Sequence, residues 1–451
     1  MYTCRLTGTD NTNQYEELIR VFMPDRNYRL LTDSTDEVCD CSIFAYDGDR
    51  NELKRCLYRD LEKHTGKSPK WGILTGIRPV KLAGEMYRRC GDLRQVEKDL
   101  ERDYLLDHSK SSLTAEILEY QLKTAGTPQE KSMSVYLGIP FCPTRCLYCS
   151  FTSNQVKKTE IDRYLEALHR EIEYCGHKVR EGNYRLESFY IGGGTPTTLD
   201  AVQLEKLLEH ISLSFDLSTL CEFTVEAGRP DTITEEKLHI LKQCGVTRIS
   251  INPQTMKQKT LELIGRKHTV EETDKAFDMA RLIWDGSVNA DLIAGLPEES
   301  FDDFRNSLDR IIAYGADNIT LHTLAVKRAS RLKEIDEEFN YKDEELREQM
   351  LGYAEEALRT AGYRPYYLYR QKHTSGNTEN IGYCRNDAVS VYNIRIMEEA
   401  QSILAMGAGG ISKVYFPEEN RLERVANVSN YEIYIDRIEE MTQRKEKNFW
   451  R

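Results

Sequence analysis

The hydrophobic pattern of the chain changes near residue 130. Residues 1–128 mix short apolar runs with charged amphipathic stretches, and Ala125-Gly126-Thr127-Pro128 interrupts the last helical pattern of this part. Beyond it, short continuous apolar runs alternate with longer segments of helical period. Continuous apolar runs are typical of parallel strands buried on both faces, so the alternation indicates repeated βα units. The runs lie at 135–139, 188–191, 221–225, 248–251, 288–293 and 319–325.

These units predict an α/β fold, built as part of a barrel or as an open, doubly wound sheet. Residues with candidate chemistry fall at the carboxyl ends of the predicted strands, which favours the barrel. After residue 330, a highly charged helical pattern leads into an aromatic segment and a helical tail. We predict three domains: N-terminal α+β at 1–128, a partial (βα)6 barrel at 129–330, and a mainly helical, substrate-covering extension at 331–451.

Composition narrows the classes of partner. The chain has 451 residues and a net charge of −12, from 62 Lys and Arg against 74 Asp and Glu. A protein that binds a nucleic-acid duplex is usually basic, so nucleic acid is an unfavoured partner. No apolar stretch reaches the roughly 18 residues that a membrane helix needs, and the first residues contain no apolar signal core. The sequence predicts a soluble, cytoplasmic protein without a membrane span.

Three of the twelve cysteines share one loop. Cys142, Cys146 and Cys149 have the spacing C-x3-C-x2-C directly after a predicted strand, and thiolates so spaced can converge on a soft metal centre. A structural zinc site usually needs four ligands, and no second C-x2-C or H-x3-H pair is present. With a four-iron cluster, three ligands would leave one iron open to another molecule. The nine scattered cysteines are expected mostly to be small buried residues.

This segment resembles the signature of the radical S-adenosylmethionine (SAM) superfamily, in which an aromatic residue precedes the third cysteine. That aromatic is Tyr148 here. The resemblance implies that the cysteines bind a [4Fe–4S] cluster, whose open iron chelates the amino and carboxylate groups of SAM. It also implies reductive cleavage of SAM to methionine and a 5′-deoxyadenosyl radical, which abstracts hydrogen from the substrate.

Further motifs follow in the order that this family implies. Gly192-Gly193-Gly194-Thr195-Pro196 ends the second predicted strand, and glycines permit close approach of backbone to a ligand. Arg266 could pair with a carboxylate, and Asp291, at the end of the fifth strand, suits ribose hydroxyls. The resemblance implies SAM contacts at Tyr136, Tyr148, Gly193, Gly194, Thr195, Glu226, Gln254, Arg266, Asp291 and Ala325.

Tyr136, Gln254 and Arg266 match the branch of oxygen-independent coproporphyrinogen III oxidases, which includes HemN and HemW. Segments outside the predicted barrel resemble the HemZ subgroup: 71–79, 324–328 and 369–372. HemN-type enzymes have a fourth cysteine where this chain has Phe151, and their short N-terminal arm has no clear counterpart here. The resemblance implies oxidative decarboxylation of coproporphyrinogen III to protoporphyrinogen IX, with an electron donor such as flavodoxin or ferredoxin.

Two other functions remain open at this point. One is a haem-binding chaperone of the HemW kind, and the other is a radical enzyme that opens the ring of haem. His322 or His373 could ligate haem iron, although a lone histidine is more often structural. A tetrapyrrole carries propionates, which need cationic partners when they are buried. The candidate partners are Arg78, Lys81, Lys327, Arg328, Arg370 and Lys372.

Overall fold

A computed structural model describes nine parts of the chain: 1–8, 11–24, 27–32, 38–44, 50–76, 78–151, 153–324, 344–371 and 378–450. Helices and strands alternate over most of it, as the α/β prediction requires. Within this described part, no helix is both long enough and apolar enough to cross a membrane.

The N-terminal unit is a small parallel sheet covered by two helices. Strand β1 lies between β2 and β3, and both neighbours run parallel to it. Parallel neighbours need crossover connections, and α1 supplies the one between β1 and β2, which makes a βαβ unit. Its core joins Leu18, Leu57 and Leu61 to the inner face of β1. The elements are β1 (Tyr2–Thr7), α1 (Asn13–Phe22), β2 (Tyr28–Leu31), β3 (Cys41–Phe44) and α2 (Arg50–Thr65).

Three helices connect this unit to the main sheet. They are α3 (Pro79–Cys90), α4 (Leu93–Tyr104) and α5 (His108–Thr124). Their apolar faces, including Ala83, Leu100 and Ile117, belong to the large hydrophobic core. The buried residues of the small N-terminal core end at Ile73, and Tyr104 and Leu105 pack against them.

Six parallel strands form the centre of an eleven-stranded sheet, in the order in which they follow along the chain. They are β4 (Ser132–Ile139), β5 (Arg185–Gly193), β6 (Glu222–Val225), β7 (Arg248–Ser250), β8 (Ser287–Ala294) and β9 (Asn318–Thr323). A doubly wound sheet reverses its strand order at a switch point, and these six strands show no reversal. The order is that of a partial barrel, so the structure decides between the two predicted architectures. Each strand coincides with one of the six apolar runs.

Helices follow the barrel strands and pack on the outside of the sheet. They are α6 (Lys158–Glu181), α7 (Ala201–Ser214), α8 (Glu235–Gln243), α9 (Gln258–Leu263), α10 (Val270–Ile283) and α11 (Phe301–Tyr314). Three of them begin with a capping box, in which a polar side chain and the residue three positions later satisfy each other's backbone N–H groups. These caps fix where each strand-to-helix loop ends.

The C-terminal segment contains five strands as well as helices. The elements are α12 (Glu344–Thr360), β10 (Arg364–Arg370), β11 (Glu379–Cys384), α13 (Val391–Glu398), β12 (Ser402–Met406), β13 (Ile411–Phe416), β14 (Arg421–Ala426), α14 (Tyr431–Asp436) and α15 (Ile438–Asn448). Strand β12 runs parallel to β4, and β11 runs antiparallel to β9. These strands extend both edges of the partial barrel, where unpaired backbone would otherwise remain. The predicted mainly helical extension is thus part of the main sheet.

A fully buried ion pair holds the last helix against the barrel. The Lys445 ammonium lies 2.7 Å from a Glu171 carboxylate oxygen, and both side chains are inaccessible to solvent. Tyr434, Asn427 and the Gly407 N–H also donate hydrogen bonds to Glu171. The carboxylate is therefore fully paired, as burial of a charge requires.

Removing one partner of this pair should cost about 3–5 kcal/mol of folding stability, because the other charge stays buried without compensation. We expect Lys445→Met to lower the urea midpoint strongly, and Glu171→Gln combined with Lys445→Met to recover part of the loss. Lys178→Met is the matched control, since Lys178 joins the same two helices through Glu446 near the surface. A loss for Lys445→Met no larger than for the control would contradict this account.

Candidate functional site

The cysteine loop follows β4 at the carboxyl end of the strand. Its backbone is anchored on two sides: the Cys142 N–H donates to the Asn154 carbonyl at 3.1 Å, and the Leu147 N–H donates to the Ile264 carbonyl at 2.9 Å. Cys146 is buried, and Cys142 and Cys149 are partly buried. The three thiols are close enough for Cys146 and Cys149 to raise the pKa of Cys142. The loop therefore brings the three predicted ligands together.

The surroundings of Cys142 and Cys149 favour the protonated thiol. Burial raises the pKa of Cys142 to about 11, against smaller opposing effects of Thr195 and Arg229, and burial also raises the pKa of Cys149. Thiolates are soft ligands suited to iron–sulfur clusters and zinc. Among the described residues, no three Cys, His, Asp or Glu side chains stand in ready-made metal geometry. The donor set fits a soft metal, and its binding would have to release protons.

The glycine loop that ends β5 packs directly on the cysteine loop. The Gly194 N–H donates to the Ile139 carbonyl at 2.8 Å, and the Thr195 N–H donates to the Phe141 carbonyl at 2.7 Å. A Cβ atom on Gly194 would lie 2.5 Å from the Phe141 oxygen and 3.0 Å from the Cys142 sulfur. The glycine pattern predicts that the backbone comes close to a ligand here. At Gly194 the structure shows another close approach, that of the backbone to the cysteine loop.

Glu226 follows β6 and faces the interior beside the glycine loop. The Tyr190 hydroxyl donates to its carboxylate at 2.5 Å. Burial raises the pKa of Glu226 to about 7, although hydrogen bonds from Tyr190 and the Gly193 backbone lower it. Tyr136 stacks on Tyr190 with ring centroids 6.3 Å apart, and its hydroxyl lies next to Gly193. Glu226, Tyr136 and the glycine loop thus form one wall of the site.

Gln254 and Arg266 flank the cysteine loop on its other side. Gln254 has φ of +69°, which is uncommon for a residue other than glycine, and it bridges to β8 through the Asp291 carbonyl and the Ile293 N–H. Arg266 is buried and donates to the Asn252 carbonyl at 2.5 Å. Its guanidinium also contacts Tyr148 and Cys146, which raise the pKa of the arginine against the effect of burial. The predicted aromatic and arginine therefore touch.

Asp291 lies on β8 in a network of polar side chains. Asn289 donates to one carboxylate oxygen at 2.8 Å, and the His322 Nε2 lies 3.5 Å from the other. Burial raises the pKa of Asp291, but hydrogen bonds from His322 and Asn289 outweigh it, and the net pKa lies below its usual value. The His322 Nδ1 shares a 3.0 Å hydrogen bond with the Tyr369 hydroxyl. Asp291 is thus an ionised acceptor at the predicted strand end.

The described candidates for cluster and SAM contacts lie in the carboxyl-terminal halves of the barrel strands or in the segments that follow them, whereas Ala325 is outside the described residues. Arg229 is a further site residue that was not predicted. Its guanidinium donates to Thr144 in the cysteine loop at 2.8 Å and pairs with Asp231. Its position three residues after Glu226 could have indicated that it lies near the site. Tyr392, which stacks on Tyr190 at 4.5 Å, comes from α13 and has no local signal.

The propionate partners that the structure describes, Arg78, Lys81 and Arg370, do not gather at this site. Arg370 is buried, donates to the carbonyls of Leu74 and Gly76, and stacks on the Trp71 ring at 4.9 Å. Burial lowers its pKa to about 10. It links β10 to the N-terminal part, which corrects its assignment to substrate. Arg78 and Lys81 contact Glu399 elsewhere, and four candidates lie outside the described residues: Lys327, Arg328, Lys372 and His373.

Comparisons with known proteins agree with this geometry. Residues 136–311 match the model of the Radical SAM superfamily. The chain is 40% identical over 405 residues to the oxygen-independent coproporphyrinogen-III oxidase-like protein HemZ of Bacillus subtilis, covering 88% of this chain and 80% of that protein. The chain belongs to the HemN, HemW and HemZ family of radical SAM proteins.

Two further relatives define the range of this radical SAM family. The haem chaperone HemW of Bacillus subtilis is 36% identical over 43% of this chain, and the match spans about half of HemW, 51%. The structure of the Escherichia coli coproporphyrinogen III oxidase HemN, a radical SAM enzyme, has a TM-score of 0.56 and 21% identity, covering 71% of this chain and 72% of HemN. At this identity the second match supports the fold alone. Radical SAM proteins use a [4Fe–4S] cluster and SAM, and these are the cofactors of the family.

Because Gly194 leaves no room for a Cβ atom, we expect Gly194→Ala to displace the cysteine loop. The substitution should lower stability by about 1–3 kcal/mol and reduce iron bound after anaerobic reconstitution. Gly352→Ala in α12 is the control, since a Cβ atom there meets nothing within 4 Å. Thermal unfolding and iron content measure the two effects. Normal iron content and an unchanged melting temperature in Gly194→Ala would show that the close approach is unimportant.

The raised pKa of Glu226 predicts a pH dependence of stability. In the folded chain Glu226 keeps this proton up to about pH 7, whereas in the unfolded chain its pKa is the ordinary 4.5 of a glutamate. Between these values the folded state binds more protons, so stability falls as pH rises, by up to about 3 kcal/mol. Glu226→Gln should remove this fall, and its melting temperature relative to the parent should rise from pH 5 to pH 8. A constant difference would contradict the raised pKa.

Proposed function

We propose that the carboxyl ends of the six barrel strands bind a [4Fe–4S] cluster through Cys142, Cys146 and Cys149 and bind SAM beside it. The proposal rests on one observation: residues from separate strands, named by the family resemblance, lie along one edge of the sheet around the cysteine loop. In parallel α/β folds this edge carries the ligand sites. Membership of the radical SAM family supplies the identity of the two cofactors.

The chemistry of the side chains suggests a role for each around SAM. Asp291, an ionised carboxylate, would accept hydrogen bonds from ribose hydroxyls, and the Arg266 guanidinium would offset the charge of a carboxylate group. Glu226 would accept a hydrogen bond from the amino group of SAM, and this would draw its pKa down from about 7. The remaining proposed contacts are Tyr136, Tyr148, Gly193, Gly194, Thr195, Gln254 and Ala325.

The reaction that we propose is oxidative decarboxylation of coproporphyrinogen III to protoporphyrinogen IX. The bound cluster and SAM supply the hydrogen-abstracting radical chemistry. The chain would orient one propionate side chain at a time and keep water out of the reacting volume. Tyr136, Tyr190 and Tyr392 stack in the interior, with centroid separations from 4.5 to 6.3 Å, and they provide an apolar wall for this purpose.

The rival function, haem transfer by a HemW-like chaperone, is supported by the HemW relative. Among the described histidines, His322 lies on β9 beside Asp291, and both of its ring nitrogens face partners. Nδ1 bonds to Tyr369 and Nε2 faces Asp291. A histidine that ligates iron needs one nitrogen free, so this arrangement disfavours haem ligation by His322.

An anaerobic assay with coproporphyrinogen III, SAM and a chemical reductant distinguishes the candidate functions. The oxidase predicts 5′-deoxyadenosine, carbon dioxide and a product with new vinyl groups. A chaperone predicts tight haem binding without turnover of coproporphyrinogen, and a ring-opening enzyme predicts an opened product from haem. A flavodoxin or ferredoxin should replace the chemical reductant in the cytoplasm.

Two variants connect this assay to the proposed site. Cys146→Ala should lose bound iron and all turnover, while Cys175→Ala, at a buried position in α6, should retain both. Arg328→Gln should weaken porphyrinogen binding while SAM cleavage without substrate stays at the parental rate. Full turnover in Cys146→Ala would overturn the cluster assignment. Haem binding without any vinyl product in the parent would replace the oxidase with the chaperone.

A further inference from the structure

A group of four cationic side chains meets one carboxylate at the junction of the N-terminal and C-terminal parts. Glu399 lies 2.8 Å from Arg78, 3.2 Å from Lys81, 3.2 Å from Lys413 and 2.9 Å from Arg424. We call these five residues the Glu399 cluster. Glu399 and Lys413 are buried, whereas Arg424 is about half exposed, so the cluster reaches the surface.

The positive charge of this cluster exceeds its negative charge. Burial, together with Arg78 and Arg424, lowers the pKa of Lys413 to about 8 despite the nearby Glu399. Burial and Arg424 also lower the pKa of Arg78, and within the described residues its buried Nε has no hydrogen-bond partner. One carboxylate therefore leaves the cations short of counter-charge.

A surface cleft of about 390 Å³ opens beside the cluster. The cationic side chains on its lining are Lys54, Arg78 and Lys81, and the carboxylates are Glu85 and Glu399. Glu85 is already engaged by the Asn420 amide at 3.1 Å. The rest of the lining is Asn51, Ile73, Leu74, Thr75, Gly76, Leu82 and Tyr104. The cleft combines Arg78 and Lys81 of the Glu399 cluster with apolar side chains and backbone, which suits a small anion.

This cleft is separate from the barrel mouth. Glu399 precedes β12, which runs parallel to β4 with Ser402 opposite Met133, so the cluster lies near the amino ends of these strands. The cysteine loop follows their carboxyl ends. An eight-residue strand spans about 25 Å, and this separation excludes a shared small ligand.

We propose that the cleft at the Glu399 cluster binds a compact anion with two or more negative charges, of the phosphate or polycarboxylate class. The anion would supply counter-charge to Arg78 and Lys81, which lie at the start of α3 and line the cleft. Arg424 on β14 shares Glu399 with them, so the anion would strengthen the link between the N-terminal helices and the last strands of the sheet. This site does not depend on the proposed radical reaction.

Isothermal titration calorimetry and thermal unfolding of the anaerobically purified, cluster-loaded chain test the proposal. Inorganic phosphate and citrate are titrated separately at constant ionic strength set with chloride. At about 100 times its Kd, the preferred anion should raise the melting temperature by about 2–4 °C. The stronger of the two responses identifies the phosphate or the polycarboxylate class.

Lys81→Gln combined with Arg424→Gln should weaken the preferred anion by about tenfold or more, because charged hydrogen bonds are lost. Arg421→Gln, on the same strand and paired with Glu419 and Glu423, is the matched control and should bind like the parent. The anion-induced shift of each variant is measured from its own melting temperature in chloride, so a change in basal stability does not affect the comparison. Absence of an anion-specific response in the parent, or an equal response in the double variant, would overturn the site.

Discussion

The close contact between the glycine loop and the cysteine loop is the constraint on which the proposed site depends. Gly194 approaches the Phe141 backbone and the Cys142 sulfur so closely that no Cβ atom fits between them. Backbone hydrogen bonds from Gly194 and Thr195 to the end of β4 hold this contact in place. Because the two loops follow neighbouring parallel strands, the pairing of β4 with β5 sets the position of the first cysteine.

Ionisable groups inside the barrel have different pKa values because their environments differ. Burial raises the pKa of Glu226 to about 7 and that of Cys142 to about 11, whereas hydrogen bonds keep the pKa of Asp291 low. Within one site, the Glu226 carboxyl group and the Cys142 thiol thus hold their protons, whereas Asp291 is an ionised carboxylate. Such differences come from partners more than from residue type, and they are typical of functional sites.

The two ends of the chain stabilise the partial barrel from opposite sides. Strands β11 and β12 pair with β9 and β4, which removes the exposed edges of the six central strands. Trp71 donates to Glu379 at 2.9 Å and lies under the Arg370 guanidinium, and this ties the N-terminal segment to the strands beyond β9. Two of the segments that resemble HemZ, those of Trp71 and Arg370, therefore meet in the folded chain.

Sequence alone determined the local features of this protein. Apolar runs predicted all six barrel strands, and the spacing of Cys142, Cys146 and Cys149 predicted a single loop with three ligands. The family resemblance then named residues that the structure brings to the same edge, such as Glu226, Arg266 and Asp291. These features follow from short stretches of chain, in which periodicity and spacing carry the signal.

Only the tertiary structure decided which distant residues meet. In the folded chain Arg370 contacts Trp71 and the N-terminal segment, and His322 contacts Asp291 and Tyr369. Four cationic side chains contact Glu399. The tertiary structure also placed five C-terminal strands in the main sheet and selected the barrel over the doubly wound order. The physical reason is that partner choice between segments far apart in sequence depends on packing and charge compensation in the folded state, and a single sequence contains no local pattern for either.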